Sequence, residues 1–226
     1  MKERVVCLVS GGIDSPVACA LAAKKFDVVP LHFCTYPYTS EGTLGLTMNA
    51  LKKLKKVAKF EKIVLYPWAG VLKTIIEKLG RREYTCLICK KSMFKAAELV
   101  CKREGAGGIV TGESLGQKAS QTLSNLGVTS HGVKIPILRP LLGFDKLEIE
   151  KTSKELGIWQ ERHAGVCNAL PKHPRTRAIA GEVDELFNQL NVNEPILKNF
   201  RKTMEVRTFK EDLHSYLMRC KRYSQN

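Results

Sequence analysis

Apolar and polar positions along this chain follow two different rhythms. Short runs of mostly branched apolar residues, at 5–9, 28–33, 63–66 and 109–111 with a weaker one at 135–138, predict β-strands. Between them apolar residues return every three or four positions over 15–25, 46–59, 69–79, 89–104 and 115–126, which predicts helices. Strands that are apolar throughout and separated by helices predict a parallel sheet covered on both faces. The expected fold is therefore α/β, a doubly wound parallel sheet of about five strands. After "ILRPLLGFDKLEIEKTSKELGI" the pattern changes. Asp145 and Glu148 have capping-box spacing for a helix through Leu156, with Gly157 as its stop. Residues 163–177, "HAGVCNALPKHPRTR", read as a loop. Residues 178–226 carry helical periodicity in two or three pieces and no strand signal. The chain is thus expected to divide into a main domain, 1–177, and a basic helical C-terminal extension, 178–226.

Composition narrows the class. At 226 residues and 44% hydrophobic, the chain can bury one good-sized core. Its 37 Lys and Arg against 22 Asp and Glu leave a net charge of +15, which attracts polyanions such as RNA or DNA. The longest early uncharged run, residues 5–13, is too short for a signal-peptide core and is broken by glycines, and no segment approaches the length that spans a bilayer. The expectation is a cytoplasmic protein without a membrane partner. Its eight cysteines should then be core residues, ligands or sulfur-chemistry groups rather than disulfides. Cys7 and Cys34 lie in strand-like runs and Cys19 and Cys101 on helical faces; with Cys220 they are read as small buried apolar residues.

The first chemical candidate is the turn in "VVCLVSGGIDSPVACALAAKK". A strand that ends in Ser10-Gly11-Gly12 and restarts as a helix near Ser15 leaves backbone N–H groups converging on one place. Glycine lets the backbone approach a ligand, and the helix dipole favours an anion, so the ligand is read as a phosphate. Asp14 would repel it unless a divalent cation such as Mg²⁺ is shared between them. Ser10 and Ser15 can donate hydroxyl hydrogen bonds. The alternative is a tight turn with Ser15 as a helix cap.

A second glycine at a strand end opens "GESLGQKASQTLSNL", and the following helix start would face the same cleft. There Gly112 permits close approach, and Gln117 or Gln121 could bond an adenosine or acceptor group. Cys86 and Cys89, in "YTCLICKK", can both face one ion at the start of a helix that also carries Lys90, and Cys167 lies in the proline-rich loop. Three thiolates suit an iron–sulfur cluster with an open iron, or zinc completed by His163 or His173. A persulfide on Cys167, resolved by Cys86 or Cys89 as a low-pKa thiolate, is the competing chemistry.

The unit Ser-Gly-Gly-Ile-Asp-Ser, in its strand–turn–helix setting, resembles the PP-loop ATPases, which cleave ATP to AMP and pyrophosphate. "LHFCTYPYTSE", "GESLGQKASQTLSNL" and "ILRPLLGFDKLEI" resemble the tRNA 4-thiouridine synthetases, the ThiI family, over residues 5–178. That resemblance implies ATP binding, adenylation of a carbonyl oxygen of a tRNA uridine, and its exchange for sulfur. It places Leu8, Val9, His32, Phe33, Lys90, Gly112 and Gln121 among the nucleotide contacts, beside the phosphate cradle of Ser10, Gly11, Gly12, Asp14 and Ser15. It also implies a four-iron four-sulfur cluster on Cys86, Cys89 and Cys167, with Asp14 and these cysteines as the catalytic set. The ferredoxin-like and THUMP segments that grip tRNA in the family are expected to be absent, since the first strand begins at residue 4, and so is a rhodanese-like tail. The tRNA would then be held by the basic extension, by a separate THUMP-type partner chain, or beside a second basic surface in a homodimer. A cysteine desulfurase or inorganic sulfide would supply the sulfur. Arg139 could add positive charge or pair with Asp145 or Glu148. Two other readings keep part of this picture: adenylation of a small metabolite, or a non-catalytic ATP- or RNA-binding subunit.

Overall fold

The computed structural model describes residues 2–162, 165, 167–209 and 213–225. Its centre is a sheet of six strands: β1 (Arg4–Leu8), β2 (Asp27–Cys34), β3 (Ile63–Pro67), β4 (Gly108–Val110), β5 (Ile137–Leu138) and β6 (Met204–Val206). They are ordered β5-β4-β1-β2-β3-β6, all neighbours parallel except β3 and β6. The chain therefore winds outward from β1 through β2 and β3, then returns to β4 on the other side of β1. That reversal leaves a crevice at the carboxyl ends of β1 and β4, the place where open α/β sheets bind ligands.

Alternation along each strand divides the core. Val5, Cys7 and Val9 face one layer, with α1 (Asp14–Ala23), α2 (Glu41–Leu54), α6 (Lys146–Glu155) and α9 (Leu213–Gln225). Val6, Val29, Leu31, Phe33, Val64 and Tyr66 face the other, covered by α3 (Ala69–Lys78), α4 (Thr85–Glu104), α5 (Leu123–Ser130), α7 (Ala180–Gln189) and α8 (Asn193–Phe200). Burial on both faces explains why these strands read as continuous apolar runs. The five cysteines assigned to the core, Cys7, Cys19, Cys34, Cys101 and Cys220, are all buried.

Several expectations need correction. There are six strands rather than five, because the region read as purely helical contributes β6, antiparallel to β3 with Leu65 opposite Met204. Three residues, two buried and one exposed, are too short a run to register a period. Residues 178–226 feed both layers, with Val183, Phe187 and Ile196 on one and Tyr216, Leu217 and Cys220 on the other. The second helix runs over Glu41–Leu54 rather than 46–59, its apolar stripe being Leu44, Met48, Leu51 and Leu54. The helix expected over 115–126 is instead a loop, a 3₁₀ turn at Ala119–Gln121, and α5. Gly116 at φ 76° and the extended Lys118 break helical geometry there. The capping box is as expected: Asp145 accepts from Glu148 N at 2.8 Å, Glu148 accepts from Asp145 N at 2.7 Å, and Gly157 at φ 67° ends the turn.

Candidate functional site

The phosphate-loop candidate sits where β1 hands over to α1. The N-cap position, Ile13, offers no side-chain oxygen to the first helical turn, whose amides lack carbonyl partners within the helix. Several unpaired amides were expected in this loop, and two of its amides are engaged locally. Ser10 N donates to Ser15 Oγ at 2.8 Å and Gly12 N to Ser10 Oγ at 3.3 Å, with the two hydroxyl oxygens 3.0 Å apart. Ser15 thus braces the loop rather than capping α1. Neither Gly11 nor Gly12 has a positive φ, so backbone strain does not demand glycine at either position. Among the described residues a methyl on Gly12 would meet only Ser10 Oγ, at 3.5 Å, an ordinary van der Waals contact, so packing does not demand glycine there either.

The strand register sets the neighbouring candidates along the same edge. Leu8 pairs with Leu31, and Val9 N donates to Leu31 O at 2.8 Å. His32 is buried; its Nδ1 donates to Val9 O at 2.9 Å, and burial lowers its pKa to about 4, so the ring is neutral. Phe33 packs edge-on against Trp68, 4.7 Å between centroids, and is buried with it. Gly112 belongs to this edge for a reason other than the expected one. A Cβ there would lie 2.5 Å from Ser15 N and 2.7 Å from Asp14 C, so its missing side chain lets the end of β4 meet the first turn of α1.

Lys90 bridges the two halves of the edge. Its Nζ lies 2.8 Å from Glu113 Oε1 and 3.2 Å from Ser120 Oγ. Glu113, with a side chain 4% exposed, also accepts from Arg139 Nε at 2.8 Å. Arg139 therefore pairs with Glu113 rather than with Asp145 or Glu148, one of the two alternatives open for it in the sequence. The Glu113 segment is fastened by Ser114 Oγ donating to Phe144 O at 2.6 Å and Leu115 N to Leu142 O at 3.0 Å. Close by, Gln121 Oε1 and Gln117 Nε2 are buried without a hydrogen-bond partner among the described residues. Such atoms cost free energy unless a ligand or water satisfies them.

Cys86 and Cys89 lie three residues apart in the first turns of α4, on one face. Trp68 Nε1 donates to Cys89 Sγ at 3.3 Å, joining the thiol to the Phe33 cluster. Cys167 lies near enough to both to affect their ionisation electrostatically. Its loop is held by Asn168 N donating to Tyr38 O at 2.8 Å and Arg175 N to Glu83 O at 3.0 Å, while buried Asn125 donates to Arg175 O and accepts from Ala178 N. The low thiol pKa expected at a basic helix start does not occur. Burial raises all three, Cys89 to about 12, and the opposing effect of Lys90 on Cys86 and Cys89 is smaller. Among the described residues no three Cys, His, Asp or Glu side chains form a group that could hold a metal ion. His163 lies outside the described residues, and His173 is exposed.

Glu113, Trp68 and Gln160 complete the neighbourhood and were not singled out from the sequence. Glu113 carried one signal, a carboxylate directly after a strand-end glycine. Gln160 carried none: it donates to Gly11 O at 2.9 Å across 149 positions of sequence.

The chain is similar to known proteins over most of its length. Residues 1–192 match the family described as "Thiamine biosynthesis protein (ThiI)". A probable tRNA sulfurtransferase of Methanothermobacter thermautotrophicus is 41% identical over 222 residues, and one of Methanobrevibacter smithii 39% over 206. These alignments take in 92% and 88% of this chain but 54% and 53% of the relatives, so the chain spans about half the length of the curated relatives it matches. Among solved structures, a 4-thiouridine synthetase in complex with RNA and bound ATP superposes with a TM-score of 0.81 at 30% identity, over 90% of this chain and 55% of that one. With the family model matched from residue 1 through residue 192, the chain belongs to the ThiI family.

Proposed function

We propose that this chain is the ATP-dependent half of a tRNA sulfurtransferase: it adenylates a carbonyl oxygen of a tRNA uridine, of the 4-thiouridine type, and exchanges that oxygen for sulfur, releasing AMP and pyrophosphate. The observation that carries the reading is the Ser10–Ser15 loop at the crevice between β1 and β4, together with the likeness to a synthetase whose structure contains RNA and ATP. Ser10, Gly11, Gly12 and Ser15 would cradle the phosphates, exchanging their internal hydroxyl bonds for phosphate oxygens. Leu8, Val9, His32, Phe33, Gly112 and Gln121 would line the nucleoside, with the unpartnered Gln121 Oε1 available to a donor on it. Lys90, held by Glu113, supplies positive charge near the reacting phosphate.

The oxygen donors Asp14, Ser10 and Ser15 suit Mg²⁺ by type, and that ion would neutralise charge on the departing pyrophosphate. Cys86, Cys89 and Cys167 suit a four-iron four-sulfur cluster by type, and such a cluster would supply sulfide. Their described geometry does not gather them as ligands, so no step is routed through it. Thiol chemistry would use these side chains and an external persulfide donor, and it too requires Cys167 to be brought to Cys86 or Cys89. The outer sulfur of a Cys167 persulfide attacks the adenylated carbon as AMP leaves, and Cys86 or Cys89 then attacks Cys167 Sγ. That releases the thiolated base and leaves a disulfide for a cellular reductant. No helix among the described residues is long and apolar enough to cross a membrane. A cytoplasmic setting is part of the proposal.

The test is incubation of the chain with an unmodified tRNA transcript, ATP, Mg²⁺ and a sulfide or persulfide source. The readouts are AMP release and mass spectrometry of the nucleosides. AMP and a thiolated uridine that both depend on tRNA are expected. ATP binding without tRNA-dependent AMP would favour the non-catalytic reading, and AMP formed only with a small acceptor would overturn tRNA as substrate. Anaerobically purified protein that carries iron and is brown would select the cluster over the persulfide.

A further inference from the structure

Two cavities outside the candidate site carry clusters of cations, and they differ in how far those cations are paired within the chain. One, of about 470 Å³, lies at the opposite edge of the sheet and includes Arg4, Lys62 and Arg207 in its lining. Three of its five cations are paired within the chain, Lys55 stands 5.7 Å from the centre of the Phe60 ring, and Lys59 and Glu61 are also in the lining. Arg4 pairs with Asp27 at 2.8 Å, Lys62 with Glu104 at 3.0 Å and Glu205 at 2.7 Å, and Arg207 with Glu205 at 3.1 Å. The other, of about 650 Å³, is a groove between α2 and residues 159–162, lined by Lys52, Lys53, Lys56 and Arg162 against the single carboxylate of Glu161. Lys53 Nζ donates to Trp159 O and so braces the groove wall. Among the described residues Lys52, Lys56 and Arg162 have no carboxylate partner. Lys52 instead stands 5.9 Å from the centre of the Phe209 ring.

The groove abuts the phosphate loop. Its wall includes Gln160, nine-tenths buried, whose Nε2 bonds Gly11 O while its Oε1 has no partner among the described residues. Like charges gathered without counter-charges repel one another, and a polyanion relieves that repulsion with release of its own counterions. The open groove is larger than one phosphate group fills. A strand whose base reaches the loop must also carry its backbone across the adjoining surface. We propose that this groove holds the phosphate backbone of the RNA strand undergoing modification, with Lys52, Lys56 and Arg162 as the phosphate contacts and Gln160 as the link that sets the loop against the groove. The proposal rests on the tRNA reading above and names where this chain itself touches that substrate.

The experiment is fluorescence anisotropy of an end-labelled, unmodified tRNA transcript across a potassium chloride series. It compares the chain with a Lys52→Glu/Lys56→Glu/Arg162→Glu variant and a Lys59→Glu/Arg207→Glu control at the other cavity. The groove variant is expected to bind at least tenfold more weakly. Its slope of log affinity against log salt should fall by about 2, from three contacts at about 0.7 each. Its ATP affinity, and both affinities of the control, should stay within twofold of the parent. A groove variant that binds ATP and retains the parent's tRNA affinity and salt slope overturns the proposal while leaving the tRNA reading standing. A parent chain that binds ATP but no tRNA overturns both. If the triple reversal lowers ATP binding as well, single Lys52→Gln, Lys56→Gln and Arg162→Gln variants decide. Each should lose about 0.7 of slope, and unchanged slopes overturn the assignment.

Discussion

At the scale of single residues, the site is built by buried charges and by a histidine kept neutral. Glu113 faces two cations, Lys90 and Arg139, each 2.8 Å away, and its side chain is almost wholly enclosed. Glu113→Ala leaves both without a counter-charge, and a loss of about 3 kcal/mol is expected in denaturant unfolding. A loss below about 0.5 kcal/mol would show that water already screens the pair. His32 gives a pH dependence with a definite sign. Its folded pKa of about 4 lies below the unfolded value of 6.5, so between those values only the unfolded chain takes up the proton. Its contribution is intact above pH 6.5 and is lost as pH falls, by about 3 kcal/mol at pH 4. His32→Asn should flatten this part of the pH–stability curve; an unchanged slope would assign it to other groups. The thiols behave oppositely to a reactive helix-start cysteine. With Cys89 pushed up to about 12, its alkylation rate should rise tenfold per pH unit from 7 to 10 without levelling, whereas a plateau near 8.5 would mean an unperturbed thiol.

At the scale of elements, the decisive contacts are between backbone segments. Gly112 brings the end of β4 against the first turn of α1, where an added methyl would sit within 2.7 Å of three backbone atoms. Gly112→Ala must displace the phosphate loop, at an expected cost of about 1–3 kcal/mol and with weaker ATP binding. Unchanged melting temperature and ATP affinity would mean the segments part easily. The elements themselves were legible where burial is two-sided and the run is long, as in β1, β2 and β3, or where caps announce a boundary, as at Asp145 and Gly157. They were not legible where three residues form an edge strand, as in β6, or where one left-handed glycine, Gly116, overrides an apolar rhythm.

At the scale of the whole molecule, the candidate site is a line of loops along one sheet edge. The candidate phosphate loop could be picked out of the sequence because its six residues are contiguous. Glu113 and Gln160 were not, since their roles come from partners that the fold alone brings near, and composition could announce a charge of +15 without saying which cations the chain neutralises internally. The proposed function requires the Ser10–Ser15 loop to grasp the phosphates of ATP, and Gly12 allows that to be tested apart from folding. Among the described residues a methyl there makes only an ordinary 3.5 Å contact, yet on the proposed function it would stand where the backbone meets a phosphate. Isothermal titration of ATP with Mg²⁺ into the parent chain and Gly12→Ala, at matched melting temperatures, is therefore the most direct measurement. Binding by the parent is expected, with affinity at least tenfold weaker, about 1.4 kcal/mol, in the variant. Equal heats and affinities, or no binding by the parent, would contradict it.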